Sequence, residues 1–315
     1  MSSEPLFARF SGNPIIVAAD LPYPANSVFN PAAARVGGET VLLLRVEDRR
    51  GISHLTVARS DDGRANWRFD AGPSLRPAPD RHPEEVWGLE DPRVTWLPER
   101  EEWLIAYTAY SKLGPLVSLA ATRDFRSFTR LGPAMPPEDK DAALFPRRFS
   151  GRWALIHRPS PLVGPSDIWV SFSPDLKHWG DHTVLLPARA GAWWDAGKVG
   201  LGPPPLETAQ GWLVAYHGVH RTASGSLYRV GLALLDLEQP WVVLHRSDEW
   251  VFGPAEPYER IGDVVGVVFP CGWIADAERD ELRLYYGAAD STVALATARL
   301  SEVIEYVLSC PRPAP

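Results

Sequence analysis

The 315-residue sequence has little cysteine and no long hydrophobic run, and both shortages narrow the class of protein. Two cysteines, Cys271 and Cys310, are too few for a disulfide framework or a zinc site, and we expect two buried free thiols, with a single disulfide as the alternative. No stretch reaches the roughly 18 apolar residues that cross a bilayer, and the first residues show no signal-peptide pattern. We therefore expect a cytoplasmic protein with no bound metal and no membrane partner.

The sequence also has fewer basic than acidic residues. Lysine and arginine number 32 against 39 acidic residues, a net charge of −7, which excludes a general nucleic-acid binder because such proteins carry a basic surface. The sequence contains no P-loop, no GxGxxG segment opening a helix, no HExxH and no GxSxG. The sequence therefore contains no motif that supports nucleotide binding, zinc-protease chemistry or serine-hydrolase chemistry.

What is present is a repeat, together with 25 glycines, 31 prolines and 13 tryptophans. Five passages each combine a short strand, a turn and a second apolar strand, and an alternating strand with a Ser-, Asp- or Leu-bearing turn recurs in phase with them. The passages begin at Phe29, Glu90, Phe145, Gly202 and Phe269. Helical periodicity is weak except in SEVIEYVL near the C-terminus.

Five units of roughly 60 residues predict an all-β fold, a five-bladed β-propeller. We expect one domain over residues 1–315, with residues 1–28 and 300–315 as closing or flanking segments. The alternative is a generic β-sandwich in which similar strand-turn-strand units arise by chance. In a propeller the first strand of each blade lines the central channel, so residues that break the repeat there are candidates for function.

The first candidate is Asp91 in the segment EDPR. Proline disfavours the α region for the residue before it, so we expect Asp91 to be extended, with its carboxylate held in one direction. The alternative is an Asp turn with an ion pair to Arg93. At the head of an inner strand, the functional interpretation is favoured.

The second candidate is a set of basic residues at or near strand ends, which indicates an anionic ligand. Its members are Arg45, Lys140, Arg158, Lys198 and His217. A solvated surface is the alternative for any one of them. Asp290, in YYGAADS, could accept hydrogen bonds from sugar hydroxyls, and Trp193 with Trp194 could stack on pyranose rings or pack in the core.

The chain resembles a known family along most of its length, from about residue 13 to residue 290. The matching motifs are NPII, VFNPAA, GLEDPRVT, KDAALFP, HRP, KVGLGPPP, GWLVAYHGV, LLDLEQP, FPCG and YYGAAD. In order and number they resemble glycoside hydrolase family 130, the β-mannoside phosphorylases, which are five-bladed propellers.

The resemblance implies an inverting phosphorolysis in which phosphate attacks a terminal β-mannosyl unit and releases α-mannose 1-phosphate. Asp91 would be the catalytic acid, its proton passing through the mannose 3-hydroxyl. The phosphate-side residues implied are Arg45, Lys140, Arg158, Lys198, His217 and Tyr228. The substrate-binding residues implied are Asn30, Glu90, Arg93, Asp195 and Asp290. Inorganic phosphate would be the co-substrate, with no cofactor, and the protein could form a homo-oligomer.

The residues themselves fit this chemistry. An inverting hydrolase needs a second carboxylate to activate water, whereas phosphate arrives as an anion and needs cations to hold it. One well-placed aspartate with several cations therefore favours phosphorolysis. A β-mannoside hydrolase, with Glu90, Asp195 or Asp290 as base, is the first alternative, and a non-catalytic carbohydrate-binding propeller is the second. The linkage and the acceptor sugar stay open.

Overall fold

The computed structural model describes residues 5–223 and 225–313. Within these ranges, 21 strands form five small antiparallel sheets, the five blades of a β-propeller. This architecture confirms the fold class predicted from the repeat. No helix in the described part of the chain is long and apolar enough to cross a membrane.

Strand β1 (Ala8–Arg9) precedes the first blade, and the remaining strands follow blade by blade. Blade 1 contains β2 (Ser27–Val36), β3 (Glu39–Glu47), β4 (Ser53–Ser60) and β5 (Arg68–Phe69). Blade 2 contains β6 (Leu89–Leu97), β7 (Glu102–Ser111), β8 (Gly114–Thr122) and β9 (Thr129–Pro133). Blade 3 contains β10 (Asp139–Leu144), β11 (Trp153–Pro159), β12 (Ile168–Ser173) and β13 (Gly180–Leu186).

Blade 4 has one additional short strand, β15, which pairs with β16. It contains β14 (Lys198–Leu201), β15 (Leu206–Thr208), β16 (Gly211–Thr222), β17 (Gly225–Leu235) and β18 (Val243–Arg246). Blade 5 contains β19 (Val268–Asp276), β20 (Glu281–Ala288) and β21 (Thr292–Arg299). The helices are α1 (Pro257–Arg260), α2 (Leu300–Ser309) and the short 3-10 turns Ala18–Asp20, Pro83–Glu85 and Pro98–Arg100.

The N-terminal segment completes the last blade, because β1 pairs antiparallel with β21 and becomes its outermost strand. The guanidinium of Arg9 holds the buried carboxylate of Glu259 through two hydrogen bonds of 2.7 and 2.9 Å. The first and last strands, β1 and β21, therefore pair in one sheet, which closes the ring of blades. The segment SEVIEYVL forms α2, the helix that its periodicity predicted, and follows this blade.

The core consists of apolar clusters between neighbouring blades. Trp212 of blade 4, for example, meets Phe145 beside blade 3 edge-on, with ring centroids 5.1 Å apart. Burial of apolar surface contributes about 25 cal/mol per Å², so each blade is stabilised mainly by its two neighbours. Because these apolar contacts stabilise the fold, the polar residues of the channel are not needed for packing and are available for function.

Three inner strands carry a β-bulge at the same level, with two residues opposite one on the second strand. The first bulge residues are Asn30, Asp91 and Asp141, and their φ angles are +46°, +48° and +54°. The extended conformation expected for Asp91 is therefore wrong. Asn and Asp tolerate the left-handed region, and the bulge overrides the local preference that proline imposes on the residue before it.

The bulges also correct the alignment of the repeats. The inner strands of blades 3 and 4 are β10 and β14, which end just before the repeat passages that begin at Phe145 and Gly202. The bulge at Asp141 in blade 3 lies at the position equivalent to the bulge at Asp91 in blade 2. Equivalent positions in different blades are defined by the pairing register of the inner strand against the second strand. A proline that follows the inner strand marks only where that strand ends.

The two cysteines form no disulfide, as expected for free thiols. Cys271 is buried in β19, beside the channel. Cys310 is only half-buried, so the expectation that both thiols are buried is wrong for it, and its Sγ contacts the carbonyl oxygen of Tyr306 at 3.3 Å.

Candidate active site

A cavity of about 200 Å³ lies where the inner strands begin, at one mouth of the channel. The structure brings ten of the predicted site residues together around it. They are Asn30, Arg45, Glu90, Asp91, Lys140, Arg158, Lys198, His217, Tyr228 and Asp290. These residues come from all five blades, so the cavity exists only in the closed ring.

Two predicted substrate-binding residues do not line the cavity. Arg93 is almost fully buried and donates hydrogen bonds to the backbone carbonyls of Asp91, Leu201 and Gly202 at 2.8–3.1 Å. Asp195 is completely buried and accepts from Arg189 and Arg246 at 2.8 and 2.9 Å. Both side chains are satisfied by the protein itself, and the substrate contact predicted for them stays a prediction that this arrangement does not support.

Asp91 is the centre of the carboxylate side of the cavity. Its Oδ1 accepts hydrogen bonds from the amide of Asn30 at 2.8 Å and from Nη1 of Arg45 at 2.9 Å. The other guanidinium nitrogen of Arg45, Nη2, donates to Glu90 at 3.0 Å. Arg45, predicted as a phosphate-side cation, thus lies against the carboxylates in the free protein.

Three carboxylates on this side differ in their protonation behaviour. Burial alone would raise the pKa of Asp91, but Arg45, Arg93 and the Asn30 amide outweigh it, and the pKa is lowered. Burial, with the charge of Asp91, raises the pKa of Glu90 despite Arg45. Burial and Asp91 also raise the pKa of Asp290 to about 6.

Asp141 organises the opposite side of the cavity, and the sequence analysis did not select it. Its Oδ2 accepts from Nε of Arg158 at 2.7 Å, and Nη2 of Arg93 lies 3.5 Å from its Oδ1. Burial would raise the pKa of Asp141, but Arg158 and the other cations lower it well below the usual range. The residue follows Lys140 in the motif KDAALFP, and a repeat alignment that placed KDA on EDP would have found it.

Lys198 lies beside Tyr228, and its ammonium donates a 2.8 Å hydrogen bond to the phenol oxygen. Burial and the like charge of Arg158 lower the pKa of Lys198 to about 8, and Lys140 acts in the same direction. The three cations are therefore close enough to repel one another. Such a cluster is stabilised by an anion placed between its members.

His217 is not the cation that the sequence analysis expected. It is almost fully buried, and burial lowers its pKa to about 3 despite the nearby Asp141. The neutral imidazole can still donate or accept a hydrogen bond, and its Nδ1 has no partner among the described residues. Gly200 makes this packing possible, because a Cβ there would overlap both His217 and Asp141.

The lining is therefore balanced in charge, with four cations and four carboxylates, rather than a ring of cations. Trp193 and Trp194 lie outside it. Together with Trp250 they line a separate surface pocket of about 370 Å³. The sugar-stacking role considered for them does not apply to the central cavity.

The fold and the cavity together define a β-propeller protein in which three carboxylates lie on one side of a channel mouth and three cations cluster near Asp141 on the other. This arrangement suits a polyhydroxyl ligand placed next to an anion. Among the described residues, no group of three or more His, Cys, Asp or Glu side chains is arranged to hold a metal ion.

The comparisons with known proteins agree with this class. A family profile described as beta-1,4-mannooligosaccharide phosphorylase matches residues 4–309, and the chain belongs to this family, glycoside hydrolase family 130. Membership makes the protein an enzyme of the β-mannoside phosphorylase type.

A β-1,4-mannooligosaccharide phosphorylase from Ruminococcus albus is 36% identical over 96% of this chain and 90% of its own length. The structure of β-1,2-mannobiose phosphorylase from Listeria innocua, in complex with β-1,2-mannobiose, superposes with a TM-score of 0.86 at 31% identity, covering 96% of this chain and 99% of that one. A second solved structure, described as belonging to family 130 hydrolases that target β-1,2 mannosidic linkages in Candida mannan, has a TM-score of 0.82 at 26% identity, and the match covers 94% of each chain.

Proposed function

We propose that the protein phosphorolyses terminal β-mannosides with inversion, using inorganic phosphate as co-substrate and releasing α-mannose 1-phosphate. The observation that carries the proposal is the two-sided cavity, in which Asp91 faces a cluster of Lys140, Arg158 and Lys198. A sugar ring fits the carboxylate side, since ionised carboxylates accept hydrogen bonds from hydroxyls. The phosphate fits the cation side, where Lys and Arg hold anions.

In the reaction, a phosphate oxygen forms a bond to the anomeric carbon while the bond from that carbon to the glycosidic oxygen breaks. The leaving oxygen takes up a proton that originates from Asp91, directly or through the mannose 3-hydroxyl. Asn30 and Arg45 fix the direction of the Asp91 carboxyl group through their hydrogen bonds. No base is required, because the nucleophile is already an anion.

Asp91 must gain a proton to act as the acid, although its pKa is lowered in the free protein. Phosphate binding supplies a shift in the required direction. The dianion places negative charge in the same cavity, which opposes the effect of Arg45 and Arg93 and disfavours a second negative charge on Asp91. Phosphate therefore both attacks the sugar and helps to protonate the acid.

A β-mannoside hydrolase is the second candidate, and one observation favours it. The carboxylate of Asp290 faces the cavity and accepts no hydrogen bond from residues 5–223 or 225–313, so it could act as a base toward water. The cation cluster argues against this candidate, because a neutral water nucleophile has no need of it. The homo-oligomeric state and the cytoplasmic location remain predictions.

The experiment incubates the protein with β-1,4- and β-1,2-mannobiose, with and without inorganic phosphate, and follows the products by ³¹P and ¹H NMR. We expect α-mannose 1-phosphate only when phosphate is present. Free mannose at the same rate with and without phosphate would instead establish the hydrolase.

The matched variant is Asp91→Asn, which keeps the shape of the side chain and removes the transferable proton. We expect turnover to fall by about 10²–10⁴-fold, the usual contribution of general acid catalysis. Mannobiose binding, measured by calorimetry, should survive. A wild-type protein that binds mannobiose without converting it under either condition would point to the non-catalytic alternative.

A further inference from the structure

A second cavity, of about 610 Å³, touches the same three cations from the other side. Lys140, Arg158 and Lys198 line both cavities. The second cavity opens to solvent beside a loop tip where Leu162 is fully exposed and Val163 is 89% exposed. The cation cluster can therefore be reached without passing the carboxylates of the first cavity.

Arg221 lines this second cavity at the end of β16. Its guanidinium forms no hydrogen bond or ion pair with another described residue, whereas most arginines of the chain are paired. Its charge acts on Lys198 in the same direction as that of Arg158 and Lys140, which places it near the cluster. An unpaired cation at the outer end extends the positive potential from the cluster toward solvent.

The two approaches to the cluster differ in charge. A dianion entering through the first cavity meets Glu90, Asp91 and Asp290, and repulsion from these carboxylates opposes its approach. On the second path the cavity contains one carboxylate, that of Glu138, which lies against Gly114. Ser160 and Ser166 add hydroxyl donors along this path. Four cations of this cavity outnumber its one carboxylate, and a cleft with an excess of positive charge raises the local concentration and the association rate of an anion.

We propose that the second cavity is an anion vestibule in which Arg221 first binds inorganic phosphate and passes it to Lys198, and by which the phosphate monoester product leaves. The inference rests on the proposed phosphorolysis. It gives phosphate and oligosaccharide separate routes to one reaction centre, so neither blocks the other.

The test compares Arg221→Ala and Arg221→Glu with wild type in initial-rate kinetics at saturating mannobiose, with inorganic phosphate as the varied substrate. Lys177→Ala is the charge-matched control, since Lys177 is exposed in the turn after β12, at the opposite end of the propeller. At low ionic strength we expect the KM for phosphate to rise about 3–10-fold in Arg221→Ala and further in Arg221→Glu, as for other charges that steer a ligand. The KM for mannobiose and kcat should change less than about twofold.

Two further readouts decide the proposal. The salt dependence of kcat/KM for phosphate should become shallower in Arg221→Ala than in wild type and Lys177→Ala. In the synthetic direction, the KM for α-mannose 1-phosphate should rise as well. An unchanged KM for phosphate, an effect confined to one direction, or an effect on the KM for mannobiose alone would overturn the vestibule. Wild-type turnover that does not depend on phosphate would instead refute the proposed function.

Discussion

At the scale of single residues, the environment of a side chain matters more than its type. His217 and Lys198 were both expected as cations, yet burial makes the first neutral at pH 7 and brings the pKa of the second down to about 8. Lys198 keeps its proton at neutral pH because Asp141 partly offsets the desolvation and the repulsion by Arg158. In the proposed reaction, phosphate is therefore held by a lysine whose ammonium group loses its proton near pH 8.

This property predicts the alkaline limb of the pH profile. Above pH 8 the lowered pKa of Lys198 means that its ammonium deprotonates, so the affinity for phosphate falls. Inorganic phosphate is already a dianion in this range, so the loss belongs to the protein. We expect kcat/KM for phosphate to decline with an apparent pKa of about 8 in wild type.

The matched variant is Lys198→Arg, whose guanidinium stays charged throughout this range. Its profile should lose the limb near pH 8, even if its overall rate is lower. A limb that persists unchanged in Lys198→Arg would show that another group titrates.

The raised pKa of Asp290 predicts the acid limb of the pH profile of kcat/KM for mannobiose. Its pKa is raised to about 6, so below that pH the carboxyl group becomes protonated and accepts hydrogen bonds from sugar hydroxyls less well. At saturating phosphate, kcat/KM for mannobiose should therefore fall as the pH drops through about 6. Asp290→Asn should show a lower kcat/KM without this limb, and a normal limb in the variant would rule out this assignment.

At the scale of elements, the bulges of the inner strands determine which side chains face the cavity. Asn30, Asp91 and Asp141 occupy the same left-handed position in three successive blades. The same bulge conformation therefore directs three polar side chains toward the channel. Blade 4 has no bulge in its inner strand. There Gly200 leaves the space that His217 and Asp141 fill.

Gly200→Ala tests this role of the strand. The added Cβ would displace His217 and Asp141, and overpacking of a well-packed site costs about 1–3 kcal/mol. We expect a lower free energy of unfolding in denaturant titrations, together with a higher KM for phosphate. The control is Gly180→Ala in β13, where a Cβ meets nothing within 4 Å, and which should leave both quantities close to wild type. Equal behaviour of the two variants would contradict the packing argument.

At the scale of the whole molecule, closure of the ring holds the cavity together, because all five blades contribute to its lining. The closing strand is only two residues long. Its attachment depends on Arg9 and the buried carboxylate of Glu259, which also accepts a 2.7 Å hydrogen bond from Tyr286. A short strand and a buried ion pair thus close the ring of blades.

Glu259→Ala should therefore destabilise the protein more than the loss of a surface ion pair. Removal of one partner leaves Arg9 and Tyr286 without their acceptor, a change that typically costs about 3 kcal/mol or more for buried pairs. Glu302→Ala is the control, since its pair with Arg299 is half-exposed and such pairs contribute at most about 1 kcal/mol. Thermal unfolding followed by circular dichroism measures both, and similar melting temperatures would argue against ring closure through this pair.

The sequence by itself determined the five-bladed propeller, because turns and apolar strands recur five times and each unit buries its faces only against a neighbour. It also pointed to Asp91 and to the basic residues at strand ends, since packing alone would have accepted apolar side chains there. The helix at SEVIEYVL followed from its periodicity. A local sequence pattern was sufficient to predict each feature whose physical cause lies within a short segment of the chain.

The tertiary structure decided what depends on contacts between blades. Burial made His217 neutral, and it placed Arg93 and Asp195 among protein partners rather than in the lining of the cavity. Asp141 became the organising carboxylate because a bulge places it between Arg158 and Arg93. Burial, bulge register and separation of charge within one cavity arise only when the ring is closed, and for that physical reason no local sequence pattern contains them.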